Sequence, residues 1–275
     1  MNYVKELELE DIIKIALRED IGGRDITTES VIPKNKFAKA VLIAKEPCVV
    51  CGLNIAALVF KLKDKGIRCK AQVRDGQSVR KGKVLARVEG RAQGILTAER
   101  VALNFLNLLS GIATNTRAYV DKVKPYKVRI MDTRKTIPGL RLLEKYAVRT
   151  GGGYNHRLTL DEMVLIKDNH LKVMGGCKKL PKITKNYKIE LEVKNLKEFK
   201  QALKLKPDII MLDNMSIKDM KKAIQMRNYR LPKLEASGGI TLKNVRKVAA
   251  TGVDMISIGN LTHSIEAIDT SLEIL

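Results

Sequence analysis

Aromatic side chains are scarce in this chain: its 275 residues include no tryptophan, and only 4% are aromatic. Single-stranded nucleic acids are commonly bound by stacking bases on such side chains, and few are available here. Acidic residues are also outnumbered, 30 against 52 lysines and arginines, which gives a net charge of +22. The lysines are spread along nearly every helix-like segment and form no single basic arm. We therefore predict a solvated lysine-rich surface and no nucleic-acid partner, with a basic RNA-binding protein as the distant alternative.

Long hydrophobic runs are absent as well. No uninterrupted apolar stretch approaches the roughly 20 residues that a membrane span needs, and the first residues lack a signal-peptide pattern. A hydrophobic content of 45% and a charged content of 30% are typical of a globular protein. We expect a cytoplasmic protein with no membrane association, long enough for one large α/β domain and a smaller one.

Cysteine is rare and does not form a metal-binding pattern. Cys48 and Cys51 have a metal-like spacing, but no second pair completes a tetrahedral site. Because they lie in an apolar strand-like run, we predict that they are buried thiols that behave as small hydrophobic side chains.

The first part of the chain predicts an α/β sandwich domain over residues 1–110. Helical spacing of apolar residues indicates a helix at 9–17, and others are expected at 52–62 and 95–120. Strands are predicted at 38–50, 68–73 and 84–88. We expect the long helix to begin near Thr97 and residues 110–114 to interrupt it. Arg100 then falls in its first turn, where it either pairs with Glu99 or holds an anion together with the helix end.

Residues 111–275 predict an incomplete, open α/β barrel of six or seven parallel strands. Short apolar runs alternate with helical segments, as in βα units. The strands are expected at 128–131, 163–166, 189–193, 208–212, 233–236 and 255–258. The helices are expected at 140–148, 196–203, 217–226, 242–250 and 264–272, and a C-terminal helix over 264–275 is expected to pack back on the first domain. No Gly-x-Gly-x-x-Gly follows any strand, which argues against a dinucleotide fold.

Cations cluster between residues 130 and 170, after apolar runs or in a glycine loop. In α/β barrels the functional residues collect at the carboxyl ends of the strands, and these positions meet that rule. The cluster predicts a pocket for a small, multiply anionic molecule. Its five potential cations are Arg134, Lys135, His156, Arg157 and Lys167.

Two later strand ends carry glycine loops that predict a phosphate site. Ser237, Gly238 and Gly239 offer a hydroxyl and unhindered backbone N–H groups just ahead of a predicted helix. Gly259 and Asn260 repeat this pattern on the next unit, with Ser264 as the expected N-cap of its helix. Ordinary βα turns are the alternative interpretation.

Carboxylates lie on the two strands between these groups. Glu192 and Asp213 can hold Mg²⁺ bridged to substrate phosphates, or stabilise a positive charge that develops during reaction. Glu190 and Glu192 are expected on the same face of their strand, so one of the two could simply neutralise a neighbouring lysine, and the residues alone do not decide which.

Several motifs together resemble the quinolinate phosphoribosyltransferase family, the decarboxylating nicotinate-nucleotide pyrophosphorylases. The resemblance runs from about residue 16 to the C-terminus and keeps the order of the motifs. They are TAERVALN at 97–104, DTRKT at 132–136, PGLR at 138–141, EKYAV at 144–148, GGGYNHR at 151–157, LIKDNH at 165–170, MLDN at 211–214 and EASGGI at 235–240.

The resemblance implies a type II phosphoribosyltransferase fold and a homodimer, or a larger assembly such as a hexamer, in which Arg100 reaches into the partner's site. Each pocket group then has an implied role. The residues implied to bind quinolinate are Arg100, Arg134, Lys135, His156, Arg157 and Lys167. The residues implied to bind phosphate are Lys135, Ser237, Gly238, Gly239, Gly259, Asn260 and His263. Glu192 and Asp213 face the ribose and Mg²⁺, and these two acids with Lys135 and Lys167 form the catalytic set.

The implied reaction transfers the phosphoribosyl group of phosphoribosyl pyrophosphate (PRPP) to quinolinate with loss of CO₂, which gives nicotinate mononucleotide for NAD synthesis. Mg²⁺ is the expected cofactor, and no organic cofactor is expected. The alternative is a related type II phosphoribosyltransferase that uses nicotinate or another aromatic acid, including the molybdenum-transport-linked relatives. A substrate with one carboxylate would need fewer cations than this pocket contains.

Overall fold

The computed structural model describes residues 6–176, 187–227 and 231–275. Their contacts divide the chain into two compact units. Unit 1 comprises residues 1–117, 137–152 and 264–275, and unit 2 comprises 118–136 and 153–263. The predicted boundary between residues 110 and 111 falls inside one long helix. Cys177, the fourth cysteine, lies outside the described residues.

Unit 1 contains antiparallel sheets and helices. Its elements are α1 (Glu6–Ile21), α2 (Ile26–Val31), β1 (Phe37–Ala44), β2 (Cys48–Val49), α3 (Leu53–Lys63), β3 (Arg68–Ala71), β4 (Ser78–Val79), β5 (Val84–Arg91), α4 (Ala92–Val123, which continues into unit 2) and α5 (Arg141–Thr150). A last strand follows near the C-terminus. The strands and helices predicted in this region are confirmed, with ends that differ by a few residues, except that the single strand predicted at 38–50 is two strands, β1 and β2, in different sheets. Cys48 and Cys51 are buried free thiols, as predicted.

Helix α4 is longer than the sequence predicted and is not interrupted. It begins at Ala92, so Arg100 lies well inside the helix, where its side chain is exposed. The idea that Arg100 and a helix end jointly hold an anion is therefore wrong. At Gly111, a Cβ would lie 2.2 Å from the Glu266 carbonyl oxygen. The glycine is thus a point of close backbone packing and not a break in the helix.

The C-terminal segment is a strand, and the helix predicted at 264–272 is wrong. Strand β12 (Thr270–Ile274) pairs antiparallel with β1, in the sheet order β12-β1-β5-β3. The backbone N–H of Ile268 also donates to the Asn107 carbonyl of α4. Pairing with a strand far away in sequence decides this conformation, which local apolar spacing cannot reveal.

Unit 2 contains the predicted open barrel. Its elements are β6 (Arg129–Met131), β7 (Val164–Ile166), α6 (Asp168–Val173), β8 (Ile189–Val193), α7 (Leu196–Leu205), β9 (Ile209–Asp213), α8 (Ile217–Met226), β10 (Lys233–Ser237), α9 (Val245–Ala249), β11 (Met255–Ser257) and α10 (Asn260–His263). All six predicted strands are confirmed within the described residues. They form one parallel sheet in the order β6-β11-β10-β9-β8-β7. Beyond β6, Tyr154 forms a single parallel bridge with Met131, which extends the open edge.

Among the described helices, only α4 is long and apolar enough to cross a membrane by length and composition. Within its most apolar window, however, 67% of the residues are buried inside the protein. Burial of this kind is typical of the core helix of a globular domain.

Candidate active site

The carboxyl ends of the six parallel strands line one cavity of unit 2. Its volume is about 560 Å³, within the range of roughly 300–1,000 Å³ that small-molecule sites occupy. The predicted site residues in its lining are Arg134, Lys135, His156, Arg157, Lys167, Glu192, Asp213, Ser237, Gly238, Gly239, Gly259, Asn260 and His263. The fold thus brings together all of the predicted site residues except Arg100, which belongs to unit 1.

Two arginines of the cavity, Arg134 and Arg157, lie close enough to repel each other. The Nε atoms of Arg134 and Arg157 are buried and have no hydrogen-bond acceptor within the described residues. Desolvation lowers the pKa of Arg157, and repulsion from Arg134 lowers it further. Because guanidinium groups remain charged in proteins, the two repel each other, and the negative charge of Glu190 acts on Arg157 in the opposite direction. Together they are suited to bind a carboxylate or another planar anion.

A buried aspartate holds the loop that carries the second arginine. Asp132, which is 0% exposed, accepts hydrogen bonds from the Asn155 side-chain amide and from the His156 backbone N–H. The Arg157 guanidinium is fixed from the other side, because its Nη1 donates to the Met163 carbonyl at 2.9 Å. The position of Arg157 is therefore set before any ligand binds.

His156 faces the cavity but directs its ring nitrogens at protein groups. Nδ1 accepts the Arg157 backbone N–H at 2.9 Å, so in this arrangement the proton lies on Nε2. That nitrogen is 3.0 Å from Glu190 Oε2 and 3.6 Å from Glu235 Oε1. The three side chains also have the donor types of a metal site, but a cation there would have to displace this proton. Contact of His156 with a substrate carboxylate stays a prediction.

Glu190 and Glu235 form a buried acid pair beneath the cavity, and each is 0% exposed. The sequence predicted that either Glu190 or Glu192 pairs with a lysine; Glu192 does so with Lys167, whereas the partner of Glu190 is His156. Burial and, next, repulsion from Glu190 raise the pKa of Glu235 to about 8, although His156 and the Ser257 hydroxyl act in the opposite direction. The pair therefore holds a proton near neutral pH, since two buried carboxylates cannot both ionise at low cost.

This raised pKa predicts a pH effect on stability. The unfolded chain loses the Glu235 proton near pH 4.5 and the folded chain near 8, so folding stability falls as the pH rises between these values. Glu235→Gln keeps the size and neutrality of the protonated acid. We expect its free energy of unfolding to rise relative to wild type between about pH 5 and pH 8. Denaturant titrations of both proteins across this range measure the difference, with the exposed Glu29→Gln as the control. A difference that does not change with pH would contradict the shared-proton assignment.

The two predicted acids lie between the arginines and the glycine loops. Glu192 is 8% exposed and lies on β8, whereas Asp213 ends the neighbouring strand β9. Lys167 Nζ is 3.4 Å from Glu192 Oε2, so this carboxylate is already paired with a pocket cation. Carboxylate oxygens are hard ligands of the kind that Mg²⁺ prefers, and the two acids are suited to hold it through waters and substrate phosphates.

The glycine loops offer backbone N–H groups, but without long helices behind them. Gly238 and Gly239 have φ values of +87° and +62°, which side-chain-bearing residues rarely adopt. Helix α9 begins only at Val245 and α10 has four residues, and Ser264 follows α10 instead of capping its start. The predicted contribution of helix ends to phosphate binding is therefore small, and the loops themselves must supply the donors.

Lys135 lies beside the second glycine loop. A Cβ placed on Gly259 would lie 3.2 Å from Lys135 Cδ and 2.9 Å from the His263 ring. The Thr262 hydroxyl donates to the Lys135 carbonyl at 2.6 Å, and the Lys135 N–H donates to Thr133 Oγ1. The lysine is thereby fixed on the phosphate side of the cavity.

Sequence reasoning missed several residues that complete the site. The Ser257 hydroxyl donates to Glu235, and the Thr262 hydroxyl donates to the Lys135 carbonyl. Both hydrogen bonds join different βα units, and a single sequence gives no signal for such contacts. Asn214 also lines the cavity, directly after Asp213. Its place in the MLDN motif was the available signal, although no role was assigned to it.

Comparisons with known proteins agree with this geometry. The family model described as quinolinate phosphoribosyl transferase, N-terminal domain, matches residues 25–110, and the corresponding C-terminal domain model matches residues 112–273. A curated relative, the probable nicotinate-nucleotide pyrophosphorylase (carboxylating) of Methanocaldococcus jannaschii, is 44% identical over 276 residues, with 96% of each chain covered. The nicotinate-nucleotide pyrophosphorylase (carboxylating) of Mycobacterium leprae is 41% identical over 273 residues, again with 96% of each chain covered.

A solved structure extends the similarity to three dimensions. The nicotinate-nucleotide pyrophosphorylase from Francisella tularensis superimposes with a TM-score of 0.93 at 39% sequence identity. The match covers 99% of this chain and 98% of that chain. Both units of the fold are therefore shared with this relative.

Proposed function

We infer the activity of this chain from its family, because the chain belongs to the quinolinate phosphoribosyl transferase family. It transfers the phosphoribosyl group of PRPP to quinolinate with loss of CO₂, and it releases nicotinate mononucleotide and pyrophosphate. The enzyme is thus a pentosyltransferase of NAD biosynthesis.

One observation supports this function most strongly: two anion-binding groups and two acids line the same cavity. Arg134, Arg157 and Lys167 lie at the ends or loops of β6 and β7, whereas the glycine loops follow β10 and β11. Glu192 and Asp213 come from the strands between them. This arrangement suits two anionic substrates that react across the acidic centre.

We assign the arginine side to quinolinate. Arg134, His156, Arg157 and Lys167 surround its two carboxylates in this proposal, and Lys135 lies between quinolinate and the sugar phosphate. Arg100 of a second copy completes the set, since its own unit leaves the side chain exposed. The active enzyme is therefore a homodimer or a multiple of one, and we place it in the cytoplasm.

We assign the glycine-loop side to the phosphate groups of PRPP. Ser237, Gly238 and Gly239 bind them together with Gly259, Asn260 and His263, and all six line the cavity. Glu192 and Asp213 would hold Mg²⁺, which when bound neutralises the pyrophosphate leaving group. Their hard oxygen donors fit this ion.

The quinolinate ring nitrogen attacks the anomeric carbon of PRPP, and the bond to pyrophosphate breaks. The nitrogen needs no general base, because its lone pair is already available. Glu192 and Asp213 stabilise the positive charge that develops on the ribosyl carbon. The pyridinium product then loses the adjacent carboxylate as CO₂, and a proton replaces it on the ring. Arg134 and Arg157 hold the carboxylates so that the nitrogen faces the ribose.

The second candidate is a related enzyme that uses nicotinate. Nicotinate has one carboxylate and needs a single carboxylate site, whereas the two arginines and Lys167 favour a dicarboxylate substrate.

Incubation of the purified protein with PRPP, Mg²⁺ and either quinolinate or nicotinate distinguishes the two candidates. We expect mononucleotide and pyrophosphate from quinolinate, no product from nicotinate, and loss of turnover when the metal is chelated. Turnover of nicotinate alone would overturn the substrate assignment.

A further inference from the structure

Asn214 holds its side chain against the glycine loop at Gly238 and Gly239, and its backbone is left-handed. A Cβ placed on Gly238 would lie 2.3 Å from Asn214 Oδ1 and 2.6 Å from its Nδ2, so the amide occupies the space above this glycine. The Asn214 backbone N–H donates to the Ser237 carbonyl at 2.8 Å. The side chain therefore packs against the glycine loop, and its residue directly follows Asp213 in the chain and lines the same cavity.

The backbone of Asn214 is left-handed, with φ of +52°. Among the described residues that are not glycine, only Lys206 shares this feature, with φ of +53°. Lys206 is the C-cap of α7, where a left-handed residue is common. Asn214 has no such role, because Ser216 caps the next helix. Most non-glycine residues pay roughly 1 kcal/mol for this conformation and asparagine pays less, which favours asparagine at this position, and left-handed non-glycine residues cluster at binding sites.

The amide of Asn214 has no protein partner in the part of the chain that the structure describes, although it has two N–H donors and a carbonyl acceptor. It lines the cavity and is exposed to it. Asp213, one residue earlier in the chain, and the Gly238 loop, on which the amide packs, line the same cavity. An amide placed here can donate to a phosphate oxygen and accept from a ribose hydroxyl.

We propose that Asn214 binds the phosphoribosyl donor where its ribose joins the 5′-phosphate, and that it orients the sugar for attack. This inference rests on the proposed function and adds a substrate contact to the same site. Asn214 serves the sugar phosphate alone, because the quinolinate cations lie at the other strand ends. Its loss should therefore weaken PRPP binding and leave quinolinate binding unchanged.

Three variants separate this role from a structural one. Asn214→Gly keeps the left-handed backbone without strain and removes the amide. Asn214→Asp keeps the shape and adds a negative charge facing the phosphates. Asn214→Ala removes the amide but keeps the strain. Lys206→Gly is the matched control, because it relaxes the other left-handed residue outside the cavity.

Calorimetric titration with PRPP and Mg²⁺, together with steady-state kinetics, tests the proposal. We expect the dissociation constant and KM for PRPP to rise about tenfold in Asn214→Gly and Asn214→Ala, and further in Asn214→Asp. The KM for quinolinate should stay unchanged in all three, and Lys206→Gly should match wild type. PRPP affinity at the wild-type level in Asn214→Gly would show that the asparagine serves the backbone only. A wild-type protein that does not bind PRPP would instead overturn the proposed function, and this inference with it.

Discussion

Lys135→Ala is expected to lower kcat/KM by about a hundredfold to a thousandfold, the usual loss when one preorganised charge is removed from an active site. The lysine side chain lies against Gly259 in the glycine loop that follows β11. The backbone of the lysine is held by Thr133 and Thr262. Because these supports involve its backbone, truncation of the side chain should leave the loop in place. The exposed side chain makes no described ion pair, so the melting temperature should not change.

Steady-state kinetics with each substrate varied in turn measure this effect. Lys221→Ala on α8 is the control, since it removes another exposed lysine outside the cavity.

Arg134→Ala should also lower kcat/KM by about a hundredfold to a thousandfold, mainly through a higher KM for quinolinate. Removal of Arg134 also relieves its repulsion of Arg157, so this variant should be at least as stable as wild type. Wild-type activity in either purified variant would remove that residue from the site.

Gly111→Ala is expected to destabilise unit 1 by about 2 kcal/mol. The added methyl group would lie 2.2 Å from the Glu266 carbonyl and 3.2 Å from Ala267 Cα, so backbone must move. That segment is fixed to the same helix, because Ile268 donates to the Asn107 carbonyl and the Thr270 hydroxyl bonds the Asn107 side chain. Overpacking costs roughly 3 kcal/mol in such a site, and the better helix propensity of alanine offsets about 1 kcal/mol.

A thermal melt detects this loss as a fall in melting temperature of roughly 4–8 °C. Gly23→Ala is the matched control, since nothing lies within 4 Å of a Cβ at that position. It should change stability by less than about 0.5 kcal/mol. If Gly111→Ala melted like wild type, the close packing of α4 on the chain before β12 would be wrong.

The barrel and its strand ends could be predicted from sequence because two local rules coincide there. Apolar runs such as 209–212 mark buried strands, and the residues after them must lie at the same edge of a parallel sheet. Asp213 and Lys167 were placed in the cavity by this argument alone. The family resemblance then assigned roles to residues whose position the pattern had already indicated.

The errors arose where contacts distant in sequence decide the structure. The sequence placed the start of α4 near Thr97, but the helix begins at Ala92, and Gly94 packs closely on Asp64 and Ile67 inside it. The apolar spacing of residues 264–272 suggested a helix, yet pairing with β1 makes a strand. Glu190 and Glu235 come from strands that are not neighbours, so their meeting at His156 could not be read from either strand.

Quinolinate labelled with ¹³C in its 2-carboxylate provides the most direct test of the assigned reaction. Purified enzyme with PRPP and Mg²⁺ should release one labelled CO₂ for each pyrophosphate, and label in the 3-carboxylate should remain in the mononucleotide. Both products should depend on PRPP. Pyrophosphate release without labelled CO₂, or no reaction of quinolinate at all, would contradict a decarboxylating transfer in this cavity.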